Sequence, residues 1–257
     1  MDPPPAVLEV AAGRRIEAVW VNEAGGVTFR LGEGRDLEFM KWTPRTSGLD
    51  LHAEAARLRW AAGFVTVPQV LGSGEDPTSS WLLTSVIDGE NAVGERWRRD
   101  PALAVAAIGR GLRHLHDSLP VHGCPFSWTA ESRLARAAGL HGHGVLDPAA
   151  WHELHRDLTV ELALQTLADP PPVDKLVVCH GDACAPNTLL TSEGDVAGHV
   201  DLGALGVGDR WADLAVAAWS TEWNYGPGWE NHLLDAYGID PDPERTAYYR
   251  LLWDVSS

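Results

Sequence analysis

Three side chains stand out by type and spacing: Asp182, Asn187 and Asp201. The first two lie in "VVCHGDACAPNTLL", residues 177–190, where an apolar run delivers His180-Gly181-Asp182 and the chain turns apolar again at Leu189-Leu190. The third sits in Val200-Asp201-Leu202-Gly203, at the end of another short apolar run. Hard oxygen donors of this kind suit Mg²⁺, which keeps several waters and usually shares its site with phosphate oxygens. A carboxylate beside such a metal can orient an attacking hydroxyl and accept its proton.

Protein kinases divide the labour in the same way. A loop aspartate is the base, an asparagine five residues on binds metal, and so does the aspartate of a D-x-G turn. That comparison demands partners upstream: a glycine turn between strands, a strand lysine for the phosphates, and a helix glutamate to hold it. Gly25-Gly26, Lys41 and Glu54 occur in that order. Of the 20 basic residues only Lys41 and Lys175 are lysines, so chance explains the first poorly. Singly, each feature has an ordinary structural reading as a turn or a solvated side chain. The ordered set of five points to phosphoryl transfer.

The elements that must position these residues follow from periodicity. Residues 18–21, 27–31 and 37–42 read as short strands separated by glycine turns, and 65–71 and 81–87 resume that character. Leu51, Ala55, Leu58 and Ala62 form a helical stripe that stops at Gly63. After Asp88-Gly89-Glu90-Asn91 the chain becomes mainly helical, with a strong amphipathic helix over 101–116 and further helices near 130–139, over 148–168 and from Trp211 onward. The runs 176–179 and 196–202 are expected to pair as one small hairpin, with Asp182, Asn187 and Asp201 at its mouth.

Composition narrows the setting. The chain has 257 residues, 45% of them hydrophobic and 22% charged, as in ordinary globular proteins. No apolar stretch approaches the ~18 residues of a membrane span, and Met1-Asp2-Pro3-Pro4-Pro5 lacks the features of a signal peptide. Cys124, Cys179 and Cys184 make an odd count without a CxxC pair, so a reducing cytoplasm is the expected compartment. A net charge of −16 repels nucleic acid and attracts cations.

With these motifs in place, the chain resembles the bacterial aminoglycoside phosphotransferase family, of the 3'-/3''-type within the kinase-like superfamily. "HGDACAPNTLL", "VDLGALGVGDRWADLAVA", "LHAEAARLRWAAGF", "WLLTSVIDGENA", "LRHLHDSLPVHGCPF" and "AYYRLLWDV" resemble family segments in family order. The resemblance implies an α+β, two-lobed protein-kinase-like fold. Residues 1–86 would be a nucleotide-binding lobe with a small antiparallel sheet, and 87–257 a mainly helical lobe for catalysis and acceptor binding. It also implies roles: Asp182 as catalytic base, Asn187 and Asp201 as Mg²⁺ ligands, Lys41 and Glu54 as the phosphate-binding ion pair. Ser85 and Ile87 would offer backbone groups to adenine. Asp213 and His180 would brace the catalytic loop.

The implied reaction is transfer of the γ-phosphoryl of ATP, with GTP not excluded, to a hydroxyl of a cationic aminoglycoside, conferring resistance. Acidic groups for the acceptor would be Asp157 and Glu161 on one helical face, Glu222, and the carboxylate of Ser257. Taken singly, each is first of all the kind of group found on a solvated surface. Trp223, beside Glu222, could stack on a sugar ring. The family often reads D-x-G-R, whereas Ala204 follows Gly203 here, and the chain ends in Ser256-Ser257 where an aromatic is common. Two other readings stand beside this one: a kinase of the same fold acting on another antibiotic or an amino-sugar or choline-like metabolite, and a non-catalytic nucleotide- or antibiotic-binding protein. A monomer or weak dimer is expected, with no nucleic-acid or membrane partner.

Overall fold

A computed structural model describes residues 2–22 and 24–256. The chain divides into two compact units, residues 1–88 with 199–203, and residues 89–198 with 204–257. The first contains α1 (Pro5–Ala11), β1 (Ile16–Val21), β2 (Val27–Leu31), β3 (Glu38–Pro44), α2 (Leu51–Ala61), β4 (Val70–Glu75) and β5 (Ser79–Ser85). Its five strands form an antiparallel sheet in the order β1-β2-β3-β5-β4. Alternation explains the layering: Val27, Phe29 and Leu31 of β2 are buried while Thr28 and Arg30 are half-buried on the opposite face. With Met40, these residues pack against Val7 and Ala11 of α1, each large side chain contributing about 1.5–3 kcal/mol by leaving water.

The second unit holds β6 (Glu90–Asn91), α3 (Glu95–Arg98), α4 (Pro101–Ser118), α5 (Ala130–Gly142), α6 (Val160–Thr166), β7 (Leu176–Cys179), β8 (Thr188–Leu190), β9 (Val196–His199), β10 (Gly206–Asp209), α7 (Trp211–Tyr225), α8 (Glu230–Tyr237) and α9 (Pro243–Ser256). The last residue of β9 belongs to the first unit. Helix α4 starts where Asp100 accepts the Leu103 N–H and Pro101 sets the first turn. Its stripe of Ala104, Ile108, Leu112 and Leu115 is buried. Arg133 of α5 is an unusual interior residue, 1% exposed. Its Nε donates to Ser256 Oγ at 3.1 Å and its guanidinium lies 4.7 Å from the Trp128 ring. Desolvation lowers its pKa to about 10.

The α+β architecture expected from the sequence is present. Three local expectations are corrected. Residues 176–179 do not pair with 196–202: β7 pairs antiparallel with β10, Cys179 opposite Gly206, whereas β9 joins β8 and β6. The strand expected over 65–71 lies at Val70–Glu75. The helix expected over 148–168 is largely turns, because Thr159 caps α6 by accepting the Leu162 N–H and helical backbone begins only at Val160. Among the described residues no helix is long and apolar enough to cross a membrane.

Candidate active site

In the first unit, Lys41 lies on β3 between Thr28 of β2 and Leu82 of β5. Met40 points into the core, so the period of two turns Lys41 and Phe39 to the other face. Asp50 caps α2 by accepting the Ala53 N–H at 2.9 Å, and Glu54 follows in the first turn, only 5% exposed. Lys41 Nζ donates to Glu54 Oε1 at 2.6 Å and to Asp201 Oδ1 at 2.8 Å. Burial works against the Lys41 charge, but the two carboxylates outweigh it and raise its pKa. Asp201 reaches this position with φ of 64°, a left-handed conformation that aspartate tolerates better than most residues, and its side chain is 49% exposed.

The glycine turn closes β1 onto β2, with Gly25 at φ of 80°. The Gly25 N–H donates to Asn22 O and the Gly26 N–H to Asn22 Oδ1, so both donors are spent inside the turn in this conformation. The Ser85 N–H is committed to Gln69 O, which leaves its carbonyl as the group it could offer a base. Ile87 follows the end of β5.

In the second unit, β7 delivers the loop that starts at His180. Asp213, in the first turn of α7 and fully buried, gathers that loop. Its Oδ2 accepts from His180 N at 2.6 Å and its Oδ1 from Gly181 N at 2.9 Å. Burial opposes its ionisation, yet the hydrogen bond from His116, the nearby histidines and the Gly181 N–H hold its pKa below the ordinary carboxylate value. His180 is buried, and its Nδ1 accepts the Asp182 N–H at 3.3 Å. Both therefore brace the loop, as expected. Gly181 has φ of 86°, and a Cβ there would fall 2.3 Å from Ala204 O. Asn187 closes a one-turn 3-10 helix and donates its Nδ2 to Asp182 O at 2.9 Å. The spacing of five thus places an amide on the carbonyl of the expected base and turns its Oδ1 the other way.

Two supporting residues escaped the sequence reading. His116 Nε2 lies 2.9 Å from Asp213 Oδ2, and its Nδ1 lies 2.8 Å from Tyr237 Oη. Its signal was a histidine four residues after Leu112, inside the apolar stripe of α4. Ser220 Oγ accepts the Ala185 N–H at 2.9 Å, and nothing in the sequence marks it. The acceptor candidates are scattered. Asp157 lies in a turn before α6 while Glu161 lies within α6, 73% exposed and 3.7 Å from His141 Nε2, so the two do not share a helical face. Glu222 is half-buried on α7. Ser257 lies outside the described residues.

Residues 21–249 match the phosphotransferase enzyme family. The chain belongs to it. The resemblance drawn from the motifs is borne out by curated relatives that are named aminoglycoside 3'-phosphotransferases and, in one case, streptomycin 3''-kinase. The aminoglycoside 3'-phosphotransferase of Streptomyces ribosidificus is 38% identical over 253 residues, covering 90% of this chain and 92% of its own length. The crystal structure of an aminoglycoside 3'-phosphotransferase of type VIII superposes with a TM-score of 0.83 at 32% identity, over 95% of this chain and 94% of its own. An aminoglycoside 3''-phosphotransferase of Streptomyces rimosus, solved with ADP and streptomycin, gives 0.78 at 27% identity over 98% and 97% of the two chains.

Proposed function

We propose that this chain transfers the γ-phosphoryl group of ATP to a hydroxyl of an aminoglycoside antibiotic and thereby confers resistance. The observation that carries the reading is the bond from Asn187 Nδ2 to the carbonyl of Asp182. The amide holds the backbone of the expected base, and its Oδ1 would be the donor offered to a cation, the division of labour that phosphoryl transfer requires.

Asp182 accepts the proton of the attacking hydroxyl, and the Asp213 clamp holds it in line with that hydroxyl. Lys41, held by Glu54, binds the α- and β-phosphates as a permanent ammonium. Phe39 offers its ring to the base from the same face as Lys41, with the Ser85 carbonyl and the Ile87 N–H at the base's edge. Gly25 and Gly26 shape the turn over the nucleotide and donate nothing to it in the conformation described. Asn187 Oδ1 and the Asp201 carboxylate are hard oxygen donors that fit Mg²⁺, which when bound neutralises charge on the transferring phosphates. Glu222, Asp157 and Glu161 are candidates for acceptor ammonium groups, favoured by the net charge of −16.

The test is product analysis by mass spectrometry after incubation with ATP, Mg²⁺ and a panel of aminoglycosides. The expected product carries one added phosphoryl group. Phosphorylation of a neutral or choline-like metabolite with no aminoglycoside turned over refutes the acceptor. ATP binding without turnover of any acceptor refutes the reaction.

A further inference from the structure

Helix α7 carries a second feature beside Ser220. Trp219 is 1% exposed, but Trp223, one turn further on, is 46% exposed. Their rings lie 5.2 Å apart between centroids. His152, from the turns before α6, lies 4.2 Å from the Trp219 ring and 6.2 Å from that of Trp223. Its own ring is fixed, because Nδ1 accepts the Leu154 N–H at 3.2 Å and its backbone N–H donates to Asp254 Oδ2 at 3.3 Å. Asp254 also binds His155 Nδ1 at 2.5 Å, with both side chains nearly buried. His152 and Trp219 are thus held behind Trp223, which stands open to solvent.

An exposed tryptophan is not by itself unusual, and Trp20 on the first sheet is 68% exposed. The location of Trp223 carries the argument. Ser220, which accepts the Ala185 N–H, precedes Trp223 by three residues on the same helix and so faces the same side. Ala185 begins the turn that ends at Asn187. The open indole and the loop of Asp182 are therefore anchored to one turn of α7. We infer that Trp223, backed by His152 and Trp219, is an acceptor-binding wall that stacks against a ring of a cyclic amino sugar. An indole face suits such a ligand twice over: it covers the apolar C–H face of a sugar ring and attracts an ammonium group through its quadrupole.

This inference rests on the aminoglycoside reading and deepens it. The test uses the full chain as wild type, W223A and W223F, with streptomycin, kanamycin and neomycin as probes in titration calorimetry, and steady-state kinetics on whichever is phosphorylated. W223A is expected to weaken binding of at least one probe and raise its KM about tenfold, with kcat changed far less. W223F keeps a ring and is expected to recover most of that loss, an outcome a merely structural role would not produce. Thermal melting of each variant shows that an altered fold is not the cause. Wild-type turnover combined with W223A affinities within twofold of wild type refutes the wall alone, as does a W223F loss equal to that of W223A. Failure of the wild type to bind any of the three probes refutes the aminoglycoside reading, and the wall with it.

Discussion

Asp213→Asn removes one charge from a fully buried position and keeps the side chain's shape. The carboxylate accepts from His180 N and His116 Nε2 on one oxygen and from Gly181 N on the other. Asparagine has one acceptor oxygen, so its amide must face at least one of these donors. If it faces Gly181, one charge-assisted hydrogen bond is lost, about 1.5–3 kcal/mol, and a donor is buried against a donor, about 1–3 kcal/mol more. The expected loss of about 2.5–6 kcal/mol is a large share of the ~5–15 kcal/mol that holds a domain together. Denaturant unfolding measures it. The loop of Asp182 loosens at the same time, and kcat is expected to fall about 10²-fold, the cost of a misplacement near 1 Å. The pH dependence follows from the depressed folded-state pKa of Asp213. Its stabilisation is present above the ordinary carboxylate value near ~4 and is lost as pH falls through the lower folded value. The stability gap between wild type and variant therefore narrows below about pH 4. A variant within 1 kcal/mol of wild type, with kcat within twofold, refutes the clamp.

Asp182→Asn is expected to lower kcat by about 10²–10⁴-fold while calorimetric affinity for ATP stays near wild type; surviving turnover removes Asp182 as the base. Lys41→Ala leaves Glu54 buried without its cation, and is expected to raise KM for ATP and to lower the melting temperature. Because the Lys41 pKa is raised, the wild-type KM for ATP is expected to show no lysine titration up to and through the ordinary value of about 10.4; a rise centred at or below that value contradicts the shift. Gly181→Ala combines a left-handed φ with a Cβ 2.3 Å from Ala204 O, and is expected to cost more than about 2 kcal/mol in urea unfolding and to abolish activity.

Much of this architecture is written in local signals. The strands of the first unit alternate visibly, and α2 and α4 announce themselves by a stripe and by caps such as Asp100-Pro101. Pairing was less legible. Residues 176–202 offer two apolar runs, and proximity in sequence suggested that they pair with each other. The partner of β7 is instead Gly206–Asp209, two glycines among four residues, too poor in β-branched side chains to read as a strand. Residues 148–168 misled in another way: their apolar positions suit a helix, but the hydroxyl of Thr159 restarts the backbone there. In the candidate site, Asp182, Asn187 and Lys41 were singled out because phosphoryl transfer would ask for those residue types at those spacings. His116 and Ser220 serve backbone groups far away in sequence, and such service leaves no periodic trace.

Strand β1 has a bearing on how the protein behaves in concentrated solution. It is an edge of its sheet, and Val19, Trp20 and Val21 stand 43%, 68% and 54% exposed on it. A flat apolar edge is a template for the edge of another molecule, the first step toward fibrils. Its register slips between Ala18 and Trp20, and an irregularity at that point twists the strand and breaks the even ladder of donors and acceptors that a newcomer would need. What looks like a flaw in pairing thus acts as a guard against self-assembly, and straightening it would trade solubility for one more well-formed pair of hydrogen bonds.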